Sequence, residues 1–415
     1  MAQSVKGMRD LFGAELRWFQ HIEETARRCF ERHGYLEIRT PILEELEVFK
    51  RSVGDSSDIV KKEMYDFEDK GGRHVVMRPE NTAGVVRAAI QHKLLTSSDP
   101  VLFYYIGPQF RYERMQTGRY RQFWQIGAES FGVASPESDA ESLVMLYDFL
   151  RELGLEKLTF SLNSVGTPES RPAFQAAFRA FFAARQERFC IDCHRRIDEN
   201  PLRVLDCKVP TCQAALEGHP LISDFLDEGS LRHHARLKEL LSELGVPFTE
   251  DPRLVRGLDY YTKTAFEVLS GDIGAQSAIL GGGRYDLLVK HLGGPDVPAF
   301  GWAIGLDRLA ILLQQLRGDA PGPETTVLIP LGETAQLRAL VLAREWWAQG
   351  IPVQLESRGV NLKKALTSAN RLGARRALLL GDGELERGVI AVKDLAAGTQ
   401  EEWPLAEVAT RLARV

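Results

Sequence analysis

Between Val101 and Phe131 the chain has little freedom. Val101 to Ile106 is an unbroken apolar, β-prone run, the pattern of a strand buried on both faces. After it comes Phe110-Arg-Tyr-Glu-Arg-Met-Gln-Thr-Gly-Arg-Tyr-Arg-Gln-Phe-Trp-Gln125, with a turn expected at Gly118 and a return strand over Gln122 to Phe131. Side chains alternate along a strand, so Arg111 and Glu113 share one face. On the return strand Phe123, Gln125, Gly127 and Glu129 share another, and Gly127 leaves room between two polar side chains for a ligand. An arginine on a sheet floor demands a carboxylate or a phosphate. The same residues also suit a hairpin with a solvated, arginine-rich tip, and these residues alone leave both readings open.

Three further constellations carry polar chemistry. Arg78-Pro-Glu-Asn-Thr82 lies where a strand gives way to a helix; Glu80 and Thr82 suit an ammonium group, while Asn81 or Thr82 could simply cap the helix. Leu254-Val-Arg-Gly-Leu-Asp-Tyr-Tyr-Thr262 precedes Gly281-Gly-Gly-Arg-Tyr-Asp286, where three glycines permit close approach of a backbone or form an ordinary turn. Gly301-Trp-Ala-Ile-Gly-Leu-Asp-Arg308 reads as a strand leading into an apolar helix over Leu309 to Leu316, with Arg308 at the junction or on the surface. No GxxxxGK[ST] loop and no GxGxxG fingerprint occurs, so a bound nucleotide would have to be held by arginines on a sheet.

The rest of the chain is punctuated clearly. A helix is expected over Glu15 to His33, with Leu16, Phe19, Ile22, Ala26 and Phe30 on one stripe and Gly34 as its stop. Tyr35 to Pro41 reads as a strand ending at a proline, and one helix is expected from about Thr82 to Leu95. Glu169 to Phe189 and Ser230 to Leu244 are helical by composition, and strand-like chain resumes at Leu254. Gly318 to Glu324 is a Pro- and Gly-rich linker. Beyond it Val327 to Leu380 alternates strand and helix, the pattern of a small α/β domain.

At 415 residues the chain exceeds one ordinary core. No apolar run is long enough to cross a membrane, and Met1 to Asp10 lacks the apolar core of a signal peptide, so a cytoplasmic protein is expected. A net charge of −5 confines any nucleic-acid contact to local basic patches. Four of the five cysteines fall at Cys190, Cys193, Cys207 and Cys212; they could supply four thiolates to a structural Zn2+, or remain reduced structural thiols.

Taken in order, the strand before Pro41, Phe110-Arg-Tyr-Glu113 with its loop, and Gly301 to Arg308 resemble the signatures of class II aminoacyl-tRNA synthetases. Leu254 to Tyr261 and Leu280-Gly-Gly-Gly-Arg-Tyr-Asp286 narrow the resemblance to histidyl-tRNA synthetases of the bacterial type, over essentially the whole chain. The resemblance implies an α+β catalytic domain (1–167 and 252–320) with a six- or seven-stranded antiparallel sheet flanked by helices. It also implies a mostly helical insertion (168–251) and a C-terminal α/β anticodon-binding domain (324–415).

The implied reaction joins L-histidine and ATP into histidyl-adenylate, then passes histidine to the 3′ end of tRNA(His). By resemblance Arg111 grips the α-phosphate, Arg308 the γ-phosphate, and Arg256 the α-phosphate and histidine carboxylate. Glu113 and Arg119 complete the ATP site. Glu80, Thr82, Gln125, Glu129, Tyr260 and Tyr261 would read histidine. Mg2+ is expected on the ATP phosphates, with ligands unassigned. The loop Arg114 to Arg121 would meet the tRNA acceptor end, with Met115 where the family usually has proline. Lys363, Lys364, Arg371, Arg375 and Arg376 would serve the anticodon. A homodimer through the N-terminal helix and the strand before Pro41 is also implied. A regulatory, histidine-binding paralogue is the nearest alternative, but it typically lacks the C-terminal domain and degrades these motifs.

Overall fold

A computed structural model describes residues 2–53, 59–256, 260–272, 277–320 and 324–413. Residues 257–259 of the Leu254 to Tyr261 motif and residues 321–323 of the linker lie outside them. The chain divides into two compact units, Met1–Ala320 and Pro321–Val415.

The first unit begins with helix α1 (Gly13–Arg32), whose stripe of Phe19, Ile22, Ala26 and Phe30 is buried; Gly34 follows at φ +79°, a conformation glycine adopts without strain. Strand β1 (Leu36–Glu37) is followed by a small antiparallel sheet made of β2 (Leu43–Glu45), β3 (Tyr65–Glu68) and β4 (His74–Met77), with α2 (Leu46–Val53) beside it. Helix α3 (Thr82–Gln91) leads to the long pair β5 (Val101–Phe110) and β6 (Gln122–Phe131), then α4 (Pro136–Glu152) and β7 (Leu158–Ser164). Short helices follow: α5 (Arg171–Ala183), α6 (Ile191–Glu199), α7 (Leu202–Leu205) and α8 (Pro210–Ala215). The unit finishes with α9 (Glu228–Glu243), β8 (Phe248–Glu250), β9 (Thr262–Ser270), β10 (Ser277–Arg284), α10 (Leu288–His291), β11 (Ala299–Gly305) and α11 (Leu306–Arg317).

The main sheet has eight strands in the order β1-β5-β6-β11-β10-β9-β7-β8. The strands from β5 to β7 are antiparallel throughout, and the two short edges, β1 on β5 and β8 on β7, are parallel. The expected strand before Pro41 therefore shrinks to two residues, because Thr40 and Pro41 turn aside to accept hydrogen bonds from Arg78.

Strand alternation sorts the residues into two cores. Tyr104, Ile126 and Ala128 face α1, α4 and α11. Tyr105 faces the other way, into a core that Tyr260, Tyr261 and Tyr285, just outside the ends of β9 and β10, share with the Phe174, Phe178 and Phe182 stripe of α5. The helical segment expected at 168–251 lies within the first unit. Its last helix, α9, buries Leu237 and Leu241 in the first core, and β8 extends the sheet before Leu254 is reached.

In the second unit, β12 (Thr326–Leu331), α12 (Glu333–Ala348), β13 (Gln354–Leu355), α13 (Leu362–Arg371) and β14 (Arg376–Gly381) form the expected parallel alternation. After α14 (Asp382–Arg387), β15 (Val389–Asp394) and β16 (Gln400–Pro404) add an antiparallel edge, and α15 (Val408–Ala413) closes the chain. The α12 and α13 sides of the sheet each carry their own apolar cluster.

Candidate active site

Two adjoining basins occupy the sheet face opposite α1. The first is a cavity of about 330 Å³ bordered by Arg111, Glu113, Arg119, Phe123, Gln125 and Arg308. Arg111 leaves the end of β5; its Nε donates to the Pro79 carbonyl at 2.8 Å, and its guanidinium lies 5.5 Å from the centre of the Phe123 ring. Glu113 and Arg119 pair at 3.4 Å across the intervening turn. That turn is closed by Gly118 at φ +72°, and a Cβ there would stand 3.0 Å from Arg308 Cγ. Burial, and then the charge of Arg119, push the Arg308 pKa downward. A cation so placed gains stability when an anion arrives.

Arg308 owes its position to a residue that sequence reading passed over. Asp307 accepts from Arg9 Nη2 at 2.6 Å and from the Trp124 backbone N–H at 2.9 Å, fastening the start of α11 to β6. Arg9 in turn lies 3.9 Å above the Tyr120 ring. The N-terminal segment is thereby part of the basin's frame.

The second basin gathers buried polar side chains against a wall of tyrosines. Glu80 takes the capping role expected of Asn81 or Thr82: its carboxylate accepts from the backbone N–H groups of Thr82 at 2.8 Å and Ala83 at 3.0 Å, and Asn81 makes no side-chain cap. Glu129 accepts from the Thr82 hydroxyl at 2.7 Å and from the Tyr285 hydroxyl. Burial drives its pKa from 4.5 up to about 8, aided by the neighbouring Glu80 and opposed by the two hydroxyls. Burial raises the Glu80 pKa too. Tyr260 packs between Tyr261, 4.8 Å away between ring centres, and Tyr285 at 5.6 Å.

The glycines let side chains, rather than only a ligand, lie flat on the sheet. A Cβ at Gly127 would meet Tyr105 Cζ and Oη at 2.3 Å, so the space expected above Gly127 is filled by the Tyr105 ring. At Gly301 it would strike the Glu129 carboxylate, and at Gly281 the Arg256 guanidinium. Arg256 is held there by Glu267.

Among the described residues, Tyr105 Oη, Gln125 Oε1 and Arg256 Nε are buried with no hydrogen-bond partner. Buried polar atoms are rarely left so, and of the three residues Gln125 borders the first cavity, which suits a ligand that would supply the missing partners. The two carboxylates of the second basin suit a cationic, N–H-bearing ligand, and the arginines of the first basin suit phosphates.

The sequence-expected residues Glu80, Thr82, Glu129, Tyr260 and Tyr261 meet around the second basin. Arg111, Glu113, Arg119 and Arg308 meet around the first, with Gln125 on its border. Sequence reading missed Tyr105, Tyr285, Asp307, Arg9 and Glu267; Tyr285 and Asp307 stand inside the motifs already quoted.

In the second unit the basic cluster contracts. Arg375 pairs with Asp394 at 3.0 Å and Arg376 with Glu324 at 2.7 Å, leaving Lys363, Lys364 and Arg371 exposed on α13. Among the described residues no helix is long and apolar enough to cross a membrane.

The model of the histidyl-tRNA synthetase family matches residues 7–182 and 212–309, and that of the anticodon binding domain matches 325–414. A histidine–tRNA ligase of Desulfitobacterium hafniense is 47% identical over 405 residues, 97% of this chain and 96% of that protein. The crystal structure of apo S. aureus histidyl-tRNA synthetase superposes with a TM-score of 0.80 at 34% identity, covering 99% of this chain and 100% of the other. A structure titled as an ATP phosphoribosyltransferase regulatory subunit/histidyl-tRNA synthetase from Bacillus halodurans C shares the fold, with a TM-score of 0.67 at 21% identity over 92% of this chain and 98% of that one. With motifs, fold and full-length relatives in agreement, the chain belongs to the histidyl-tRNA synthetase family.

Proposed function

We propose that this chain ligates L-histidine to tRNA(His) in two steps, with both basins serving the first. The observation that carries the reading is the buried Glu80–Glu129 pocket, with its tyrosine wall, adjoining an arginine-lined cavity. Glu80, Thr82 and Gln125 receive the α-ammonium group. Glu129 accepts from one imidazole N–H, and Tyr260 and Tyr261 complete the ring's surroundings. Such a site discriminates strongly, because a wrong side chain leaves buried groups unpaired.

ATP enters as its magnesium complex. Arg111 meets the α-phosphate, Arg308 the γ-phosphate, and Glu113 with Arg119 the adenine side. Arg256 spans the histidine carboxylate and the α-phosphate. The carboxylate oxygen attacks the α-phosphorus and pyrophosphate leaves; fixed cations stabilise the charge that spreads over the phosphate as it does so. In the second step the 3′-terminal hydroxyl of tRNA attacks the activated carbonyl and AMP departs.

The loop Arg114 to Arg121 faces the acceptor end, and Lys363, Lys364 and Arg371 serve the anticodon. The segment 168–251 is proposed as an insertion between the two catalytic portions, 1–167 and 252–320. A twofold dimer and a cytoplasmic setting belong to the same reading. Exposed Leu36, Ile42 and Leu43 around the strand before Pro41 support the dimer, which light scattering tests. Arg111, Arg256 and Arg308 are all present and the C-terminal unit is folded, which disfavours the regulatory alternative.

Amino-acid-dependent pyrophosphate exchange tests the activity. Exchange with histidine alone is the expected result, and no exchange with any amino acid would sink it.

A further inference from the structure

The second core also contains four side chains that no step of the ligase chemistry uses. Cys190 is the residue before α6, Cys193 lies in its first turn, Cys207 follows α7, and Cys212 sits within α8. Their sulfur atoms all lie within 4.8 Å of one another. Cys190 Sγ is 3.7 Å from Cys193 Sγ and 3.9 Å from Cys207 Sγ. All four cysteines are free, and these separations are far beyond the ~2.05 Å of a disulfide.

The distances suit a metal instead. Four sulfurs placed tetrahedrally at ~2.3 Å from a zinc ion stand about 3.8 Å apart. The Cys190 N–H donates to Cys212 Sγ at 3.1 Å, an interaction that favours thiolate over thiol and orients the sulfur. Cys193, Cys207 and Cys212 are buried, while Cys190 keeps partial exposure and with it a route of entry.

The surrounding architecture also calls for a clamp. Helices α6, α7 and α8 have nine, four and six residues. Isolated helices shorter than ~12 residues are marginal in water, so tertiary restraint must hold these three. The cluster ties the start of α6, the end of α7 and the middle of α8 to one point.

We propose that Cys190, Cys193, Cys207 and Cys212 bind one Zn2+ as a closed tetrathiolate that is structural rather than catalytic. Four protein ligands leave no open position for water or substrate. Binding releases the four thiol protons and yields a Zn(S–Cys)4 centre of net charge −2. The proposal is independent of the ligase reading, since either can hold without the other.

The test is metal analysis of the full-length protein, purified without chelator and dialysed against metal-free buffer. One zinc per chain is expected. Cys29→Ser, which removes the buried cysteine outside the cluster, keeps it, and Cys193→Ser and Cys212→Ser lose most of it. Because both substitutions also put a hydroxyl into a buried site, the parent protein is stripped and reloaded with Co2+ as well. The intense visible absorption of four-thiolate, tetrahedral cobalt is then expected. Iron in place of zinc, a disulfide among the four cysteines in the purified protein, or a metal-free chain with four reduced thiols that gives no such cobalt spectrum overturns the proposal.

Discussion

Replacing Glu129 with glutamine is expected to raise stability while removing function. The carboxyl is fully enclosed, and its pKa rises from 4.5 to about 8 mainly through burial. In the unfolded chain it ionises near 4.5, so between these values the fold holds a proton that the unfolded chain has lost. Stability contributed by this group is therefore complete below pH 4.5 and drains away as pH rises to about 8. At ~1.4 kcal/mol per pH unit the loss approaches about 5 kcal/mol in the ligand-free protein. Glutamine does not titrate, and its amide leaves one of the Thr82 and Tyr285 hydroxyls without its acceptor, at ~1–2 kcal/mol. The variant should thus be more stable at pH 8 by about 3 kcal/mol, with an advantage that disappears toward pH 5. The same change removes the acceptor proposed for the imidazole N–H, so kcat/KM in histidine-dependent exchange should fall by about 10²–10³. Calorimetric unfolding of both proteins at pH 5, 6.5 and 8, with the unit containing Glu129 followed separately, reads the first effect. A variant no more stable than its parent at pH 8, or a gap between them that ignores pH, would refute burial as the cause. Exchange within about threefold of the parent would refute the recognition role.

Arg256→Ala should lower the rate of adenylate formation by about 10²–10³ while histidine affinity, measured calorimetrically, changes far less; equal losses contradict its proposed role across the two substrates. Gly127→Ala places a Cβ 2.3 Å from the Tyr105 ring and 2.7 Å from the Trp302 carbonyl oxygen. It should cost about 1–3 kcal/mol in thermal unfolding and raise KM for histidine, and a silent substitution means the ring is not pinned there. Asp139 is fully buried and accepts from Arg284, from Thr264 at 2.8 Å and from His233 at 2.8 Å. Asp139→Asn should destabilise the first unit by about 1–3 kcal/mol, because buried Arg284 loses one of its two carboxylate partners and keeps only Asp286 at 3.1 Å; a shift in melting temperature near zero argues against that network.

The sequence exposed the fold wherever one element satisfied one rule. The α1 stripe, the Val101 to Phe131 strand pair and the βαβ start of the second unit each follow from a single period and a glycine or proline stop. Where two demands met, the reading drifted. The strand before Pro41 is short because the backbone there serves Arg78, and no local period records that demand. The α9 helix itself could be read from its composition, but its packing could not. Its attachment to the sheet depends on Leu237 and Leu241 finding a core built largely from distant residues. The antiparallel β15–β16 edge went unread although Val389 to Val392 is strongly β-prone; the regular alternation before it drew attention away.

The site divides the same way, and the division says what kind of information a motif holds. Groups proposed to bear charge toward a ligand, such as Arg111, Glu129 and Arg308, can be picked out because their residue type is costly in a sheet without a partner. Groups that aim those charges carry no such mark. Tyr285 and Tyr105 look like sheet aromatics, and Asp307 like an acidic residue at a helix start. Their roles come from register: Gly301 faces Glu129, and Gly127 faces Tyr105. The glycines opposite the functional side chains therefore hold as much of the site as the side chains do. At Gly281 a methyl group would displace the Arg256 guanidinium and press on the Phe266 carbonyl at 2.8 Å, and at Gly301 it would displace the Glu129 carboxylate and press on the Ala128 carbonyl at 2.8 Å. Gly281→Ala should therefore reproduce the Arg256→Ala defect in pyrophosphate exchange, and combining the two should add little to either; a double variant much worse than both would mean the methyl group acts through the strand backbone rather than through Arg256.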